Sequence, residues 1–382
     1  MHDYSTFRGA DEKLEKMLNL LTCLDIRLDK DKIAYALGVT KRAVQHYHAK
    51  LREMHAKKEI VAAHMRDIRA LGLTSVVAVA TGGFLKDVLE AEKIVELERK
   101  YPRLGYLVRF IGYAAKFGSG LSLLALRVPS KHLWEVMEAY EKAGAVKDYW
   151  PATLVPVQRC HESGARLAEA FYRLRGNPSY KPRDLLIDSI IMTILDVNPL
   201  AYLVPDDFNV EVAYKYRVEL RSLVGAIAYR YLRRHYTALS RAGVAGRVAV
   251  LPRKPLSYVW IFADGDLDLE LYTFAARKAY GLYVTVTEGG FVFADVYTGL
   301  ENLRTSLQSY VASGRAQIDT VLAATSFAFP FEMIDPRENT WALEPVAPKV
   351  LPRYRILEAA AEGGGQLEEE DEVDVEVELE EG

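Results

Sequence analysis

The chain has 382 residues, 50% hydrophobic and 26% charged, with a formal net charge of −3. That balance belongs to a folded globular protein of roughly two to four domains, and it excludes a disordered chain, a collagen and a disulfide scaffold. The charge is uneven: residues 358–382 hold twelve acids and no Lys or Arg, which leaves +9 on the remainder, and within that remainder 161–254 carries +6 while 255–335 carries −6. Such a division fits polyanion-facing modules joined to modules with another task, and a solvated surface is the plain alternative.

The first 71 residues read as helices. Leu14, Met17, Leu18, Leu21 and Leu24 recur at helical spacing. Asp29 or Asp31 can cap a second helix through Ile33, Ala34 and Leu37, and Gly38 can end it in a left-handed conformation. Thr40 then caps a third helix, with Val44, Tyr47, Leu51 and Met54 on its inner side.

Residues 72–160 change pattern. Ser75–Ala80 is a strand, Leu85–Lys100 a helix, and Leu104–Ala114 and Leu121–Val128 are strands around Gly118 and Gly120. Ser130–Ala143 is a helix and Tyr149–Val157 the last strand. The order β-α-β-β-α-β is the ferredoxin-like arrangement. Glu162–Leu174 and Arg183–Leu195 are helices that follow.

The same order returns later. Tyr258–Phe262 is a strand, Leu267–Ala279 a helix, Leu282–Thr287 and Phe291–Tyr297 a hairpin, Leu300–Ser313 a helix and Thr320–Phe331 a strand. Gly72-Leu73-Thr74-Ser75-Val76 aligns with Pro255-Leu256-Ser257-Tyr258-Val259 at an offset of 183. Val212-Ala213-Tyr214 likewise echoes Ile33-Ala34-Tyr35. A tandem duplication is expected, with modules at 1–71, 72–160, 161–254 and 255–335. Residues 336–382 read as a proline-containing extended linker and an acidic tail whose composition cannot bury a core.

The sharpest motif is Lys32-Ile33-Ala34-Tyr35-Ala36-Leu37-Gly38-Val39-Thr40-Lys41-Arg42-Ala43-Val44. A helix-turn-helix needs a small residue where its helices touch (Ala34), a turn residue tolerant of positive φ (Gly38) and apolar anchors (Ile33, Leu37, Val39, Val44). Its second helix offers an outer face to the major groove. Lys41, Arg42, Gln45, His46 and Lys50 lie on that face, with Thr40 and the helix start suited to a phosphate. In the second helical segment Arg230 and Arg234 share one face, with Arg233 adjacent, and form a second candidate nucleic-acid surface. A solvated face paired with acidic segments is the alternative.

This motif, followed by Lys58-Glu59-Ile60-Val61, Asp67 and Leu71-Gly72-Leu73 leading into a strand, resembles the leucine-responsive/AsnC family of prokaryotic transcription regulators over residues 14–158. The resemblance implies a winged helix-turn-helix, an amino-acid-sensing ferredoxin-like domain and assembly through β-sheets. The chain departs from the family in carrying two such units. Its first hairpin, Phe117-Gly118-Ser119-Gly120-Leu121, also lacks the acid that family hairpins place beside the ligand, whereas Glu288-Gly289-Gly290 has one.

Other signals carry less. Asp264-Gly265-Asp266-Leu267-Asp268-Leu269-Glu270 fails the calcium-loop pattern at Leu269 and Ala275 and reads as helix-capping acids. His46, His48, His55 and His64 have no metal spacing. No nucleophile-and-base motif occurs. Cys23 and Cys160 make no disulfide framework, so a cytoplasmic location is expected. No signal peptide or apolar run of about 18–20 residues is present. Six Asn and five Gln in the whole chain are the amide depletion of thermophilic proteins.

The expectation is an α+β protein in which two winged helix-turn-helix modules alternate with two ferredoxin-like domains that stack as an intramolecular pseudo-dimer. Its expected function is DNA-binding transcription regulation. Double-stranded DNA is the expected partner, an amino-acid-like small molecule a candidate effector, and no membrane, cofactor, metal or enzymatic activity is expected. A low-specificity architectural DNA-binding protein and a non-DNA ligand-sensing or scaffold protein are the alternatives.

Overall fold

The computed structural model describes residues 12–346, apart from 22–23, 66, 157–179, 201–228, 246, 253–256, 263–278, 288–290, 297–304, 306–307, 315 and 328. Three helices open it: α1 (Glu12–Leu21), α2 (Lys30–Leu37) and α3 (Lys41–Ala56). Leu14, Met17, Leu18 and Leu21 of α1 pack with Ile33, Ala34, Leu37, Val44 and Leu51. Gly38 ends α2 at φ 60°, a left-handed conformation that a Cβ would strain. Asp29 precedes α2 without capping it; its carboxylate instead accepts the Asp25 N–H at 3.1 Å.

This helical core is not self-contained. β1 (Ile60–Met65) pairs antiparallel with β6 (Arg247–Pro252), from Ile60 opposite Pro252 to Met65 opposite Arg247. Leu200, Val248 and Val250 complete the same core. Sequence segments roughly 140 to 190 residues downstream therefore help to bury α1–α3.

The middle of the chain builds a sheet from β2 (Leu73–Ala80), β3 (Ile111–Phe117), β4 (Ser122–Pro129) and β5 (Val146–Pro156), with α4 (Gly82–Glu90), α5 (Ile94–Lys100) and α6 (Leu133–Lys142) between them. The single helix expected over 85–100 is broken at Ala91, whose backbone is extended. Glu96 then starts a new helix by accepting the Glu92 N–H at 3.1 Å. The strand expected from Leu104 begins only at Ile111, because Gly105–Phe110 is a 3₁₀ turn.

Later strands are β7 (Ser257–Phe262), β8 (Ala279–Thr287), β9 (Phe291–Val296) and β10 (Ala316–Ser326). The expected helices at Glu162–Leu174 and Leu267–Ala279 lie outside the described residues, save Ala279, which begins β8. Within the helix expected at 300–313, α9 covers Gln308–Ala312. In the first half the strands run β3-β4-β2-β5, and in the second β8-β9-β7-β10, the same order relative to sequence. β5 then pairs with β8, and β10 pairs with β3, which closes all eight strands into one barrel.

Strand alternation divides the side chains of the first half. Val76, Ala78, Ala114, Leu124, Leu126 and Val128 face the helices. Val77, Ala115, Phe117, Leu123 and Ala152 face the barrel interior, with Val79, Tyr113, Trp150 and Val321 around them.

Two further helices join barrel and helical module: α7 (Leu185–Val197) and α8 (Tyr229–Arg241). Ile187, Ile190, Ile191 and Ile194 of α7 are fully buried against the first half of the sheet. Tyr236 of α8 accepts from Arg27 Nη1 at 2.9 Å and donates to Asp25 Oδ2, which also accepts from Ser240 at 3.0 Å. Residues 336–341, expected as the start of an extended linker, are instead docked as part of a hairpin. Ile334–Asp335 pairs with Thr340–Trp341 as β11 and β12, and Trp341 Nε1 donates to Leu71 O at 2.7 Å.

Tyr236→Phe removes the hydroxyl that links Arg27 and Asp25 and leaves Asp25, 4% exposed, short of a donor. The expected loss is about 1–3 kcal/mol of stability, read by chemical denaturation. An unchanged midpoint would mean that the hydroxyl is dispensable to the junction.

Candidate functional site

The structure brings the first set of expected site residues together. Thr40 Oγ1 accepts the Ala43 N–H at 3.2 Å and caps α3. Lys41, Arg42, Gln45 and His46 are exposed on one side of the helix and Lys50 is half-buried. Lys41 is held by Asp31 at 2.6 Å, so part of the charge on this face is locally neutralised. Arg233 and Arg234 are exposed on α8; Arg230 lies on the same helix, but its side chain falls outside the described set. Asp264–Glu270, Glu288, Cys23 and Cys160 also lie outside the described residues. Among the described residues no group of three His, Cys, Asp or Glu side chains is placed to hold a metal.

The inner side of α3 behaves differently. His48 is fully buried, whereas His46 two residues away is exposed. Burial pushes the His48 imidazole down to about 3, helped by the positive charges of Arg27, Arg52 and Lys30 and opposed by a hydrogen bond with the Leu200 backbone.

A second constellation sits on the barrel. Arg127 of β4 stands opposite Ser75 of β2 in the ladder. Its Nη1 meets Asp196 Oδ2 of α7 at 3.4 Å, and its guanidinium lies 5.4 Å over the Phe329 ring. β3 makes room for it: a Cβ at Gly112 would stand 2.6 Å from Arg127 Nε. Gly112 falls at the irregularity between Ile111 and Tyr113 in the β3–β4 register. On the interior face Ala115 is fully buried, while its partner across the ladder, Ala324, and the nearby Ser326 are exposed. Solvent thus reaches Ala324 and Ser326 on the side of the ladder that carries Ala115 and Tyr113.

Two buried carboxylates are held by hydrogen bonds in this part of the chain. Asp319 of β10, 7% exposed, accepts from the Ser119 N–H at 3.1 Å, the Thr320 N–H at 2.8 Å and the Ser119 hydroxyl. The hairpin 117–121, which carries no acid of its own, thus receives one from the second half. Near the helical module, Asp188 of α7 is fully buried and accepts from the Tyr180 hydroxyl at 2.8 Å and pairs with His235 Nδ1 at 2.8 Å. Burial and the Asp188 charge push the Tyr180 phenol up.

Sequence reading missed Arg127, Asp196, Asp188, His235 and Asp319. The available signal was Gly112, because a glycine inside a strand marks a bulge or a close approach.

No protein-family model matches the chain, and no curated protein matches its sequence. Among solved structures it is similar to the crystal structure of the siroheme decarboxylase NirDL, with a TM-score of 0.45 and 14% identity over 92% of this chain and 100% of that one. It is also similar to NirDL in co-complex with an iron-uroporphyrin III analogue, with a TM-score of 0.43 and 12% identity over 91% of this chain and 99% of that one.

Two expectations are corrected here. The chain was expected to be a DNA-binding transcription regulator, and to be no enzyme. The structures found are those of an enzyme, and one holds an iron-porphyrin analogue rather than DNA. The basic face of α3 misled because an amphipathic helix with exposed Lys and Arg serves equally as a solvated surface. Among the described residues no helix is long and apolar enough to cross a membrane.

His48 supplies a pH prediction. Its unfolded value is ordinary, near 6.5, and its folded value is about 3, so the unfolded state binds the extra proton between them. The stabilisation from neutral His48 is complete above pH 6.5 and is lost as pH falls towards 3. The slope is about 1.4 kcal/mol per pH unit. His48→Leu should flatten that part of the denaturation-against-pH curve; an unchanged slope would show that other groups set it.

Proposed function

We propose that the chain is a ligand-binding protein that holds a small, largely apolar molecule against the interior face of its barrel. One observation supports this most: exposed Ala324 and Ser326 stand directly across the ladder from Ala115 and Tyr113, beside the buried apolar cluster of Val77, Ala115, Phe117, Leu123 and Ala152. An eight-stranded barrel has an interior just wide enough to be filled by side chains or to take one small ligand. Apolar walls with a few polar groups at the ends are the usual makeup of a small-molecule site.

In this reading the two halves act as βαββαβ units of a tandem pair, each supplying strands to the other. The kinship to the leucine-responsive/AsnC family is then one of fold. The helical segments serve as braces, through β1–β6 and α7, and the boundaries near 71, 160, 254 and 335 mark units of duplication rather than independently folding pieces.

The test uses phenylnaphthylamine, a neutral fluorophore that brightens in apolar surroundings. The intact protein should bind it saturably with a stoichiometry near one. Ala324→Trp places a large ring beside that cluster, on an exposed position that tolerates it, and should abolish binding while leaving the thermal melt in place. Absence of saturable binding, or binding unchanged by Ala324→Trp, would overturn the proposal.

A further inference from the structure

α8 carries charge of one sign. From Tyr229 to Arg241 it holds Arg230, Arg233, Arg234 and Arg241 and no acid. Arg233, Arg234, Ala238 and Arg241 are exposed. Arg234, Ala238 and Arg241 recur at helical spacing and form a stripe about 10 Å long, with Arg233 beside it. The other side of the helix is buried: Tyr236 and Leu239 pack into the core, and His235 meets Asp188. Among the described residues no acid pairs with Arg233, Arg234 or Arg241. The basic face of α3 differs, because Asp31 holds Lys41 at 2.6 Å and Glu53 holds Lys57 at 2.5 Å.

The matching charge comes later in the chain. Residues 368–381, which lie outside the described residues, hold ten acids in fourteen positions and no Lys or Arg. Asp374, Glu376, Glu378 and Glu380 alternate with Val373, Val375, Val377 and Leu379. In an extended segment such alternation sets the acids about 6.6–6.8 Å apart on one side, close to the roughly 6 Å between helical residues four apart. The chain also leaves the described fold near α8. Val346, the last described residue, donates its N–H to Glu332 O at 2.9 Å, in a turn that packs on α7. Asn339 accepts the Leu185 N–H at the start of α7 at 2.7 Å, and one turn further on Asp188 holds His235, the residue after Arg234. The 21 residues 347–367 span at most about 70 Å when extended, which brings α8 within reach of 368–381.

We propose that the acidic segment 368–381 docks on the arginine stripe of α8 in the same chain and covers it. Pairs that are weak singly on an exposed surface act together here, because the tether holds the segment at high effective concentration. A covered stripe is closed to acidic partners from outside, and salt or a stronger polyanion opens it. The inference does not depend on the barrel reading.

The test is the rate at which phenylglyoxal modifies each arginine of the full chain, read by mass spectrometry. Arg42, exposed on α3, is the internal reference. Arg233, Arg234 and Arg241 should react about fivefold more slowly in the intact chain than in a full-length variant whose acids at 368–381 are replaced by Asn and Gln. The Arg42 rate should be the same in both. Salt at about 0.5 M should erase the difference, since it cuts the screening length to about 4 Å. Protection should be independent of protein concentration. Equal α8 rates in the two chains would overturn the proposal. So would protection at Arg42 instead, which would seat the segment on α3, or protection lost on dilution, which would make the occupant another copy's segment.

Discussion

The pairing of β5 with β8 and of β10 with β3 is the interaction on which the rest of the molecule depends. Each half taken alone is a four-stranded sheet with two open edges, and open edges invite uncontrolled pairing. Reciprocal pairing removes all four edges at once. Val77, Ala115, Phe117, Leu123 and Ala152 are buried only because that closure occurs. The cross-half hydrogen bonds of Asp319 to the hairpin at Ser119 reinforce the same seam.

Around the barrel the helical segments act as braces. β1 and β6 tie the two ends of the helical module together, and the Asp25–Arg27–Tyr236–Ser240 knot fixes α8 against the loop after α1. α7 does most of the coupling. Its Asp188 reaches α8 through His235, its Asp196 reaches β4 through Arg127, and its first N–H, on Leu185, is accepted by Asn339 at 2.7 Å. Anything that changes the Arg127–Asp196 contact therefore acts on a helix that touches barrel, helical module and the 334–341 hairpin alike.

The parts of the fold legible in sequence were those set by neighbouring residues. Ile33, Ala34, Leu37, Gly38 and Thr40 lie within eight positions and specify two helices and the turn between them by packing, a left-handed cap and a hydroxyl cap. The two strand-helix series were legible because each strand alternates locally, although Gly105 delayed β3 and the break at Ala91 divided a helix. Partner choice was not legible. Nothing near Val321 says that it will lie opposite Phe117, and Asp319 finds Ser119 across 200 positions. Trp341 looked like part of a proline-containing linker until its indole met Leu71 O. The functional misreading has the same origin. The basic face of α3 is a local pattern and was visible, whereas the constellation of Arg127, Asp196 and Phe329 is assembled from three distant segments.

The most direct measurement is hydrogen exchange of the intact protein with and without saturating phenylnaphthylamine. Slowed exchange confined to β3, β4 and the 321–326 part of β10 is the predicted result, because these strands carry Ala115, Leu123 and Ala324. Slowed exchange confined to α3, with the barrel strands unchanged, would contradict a ligand site inside the barrel.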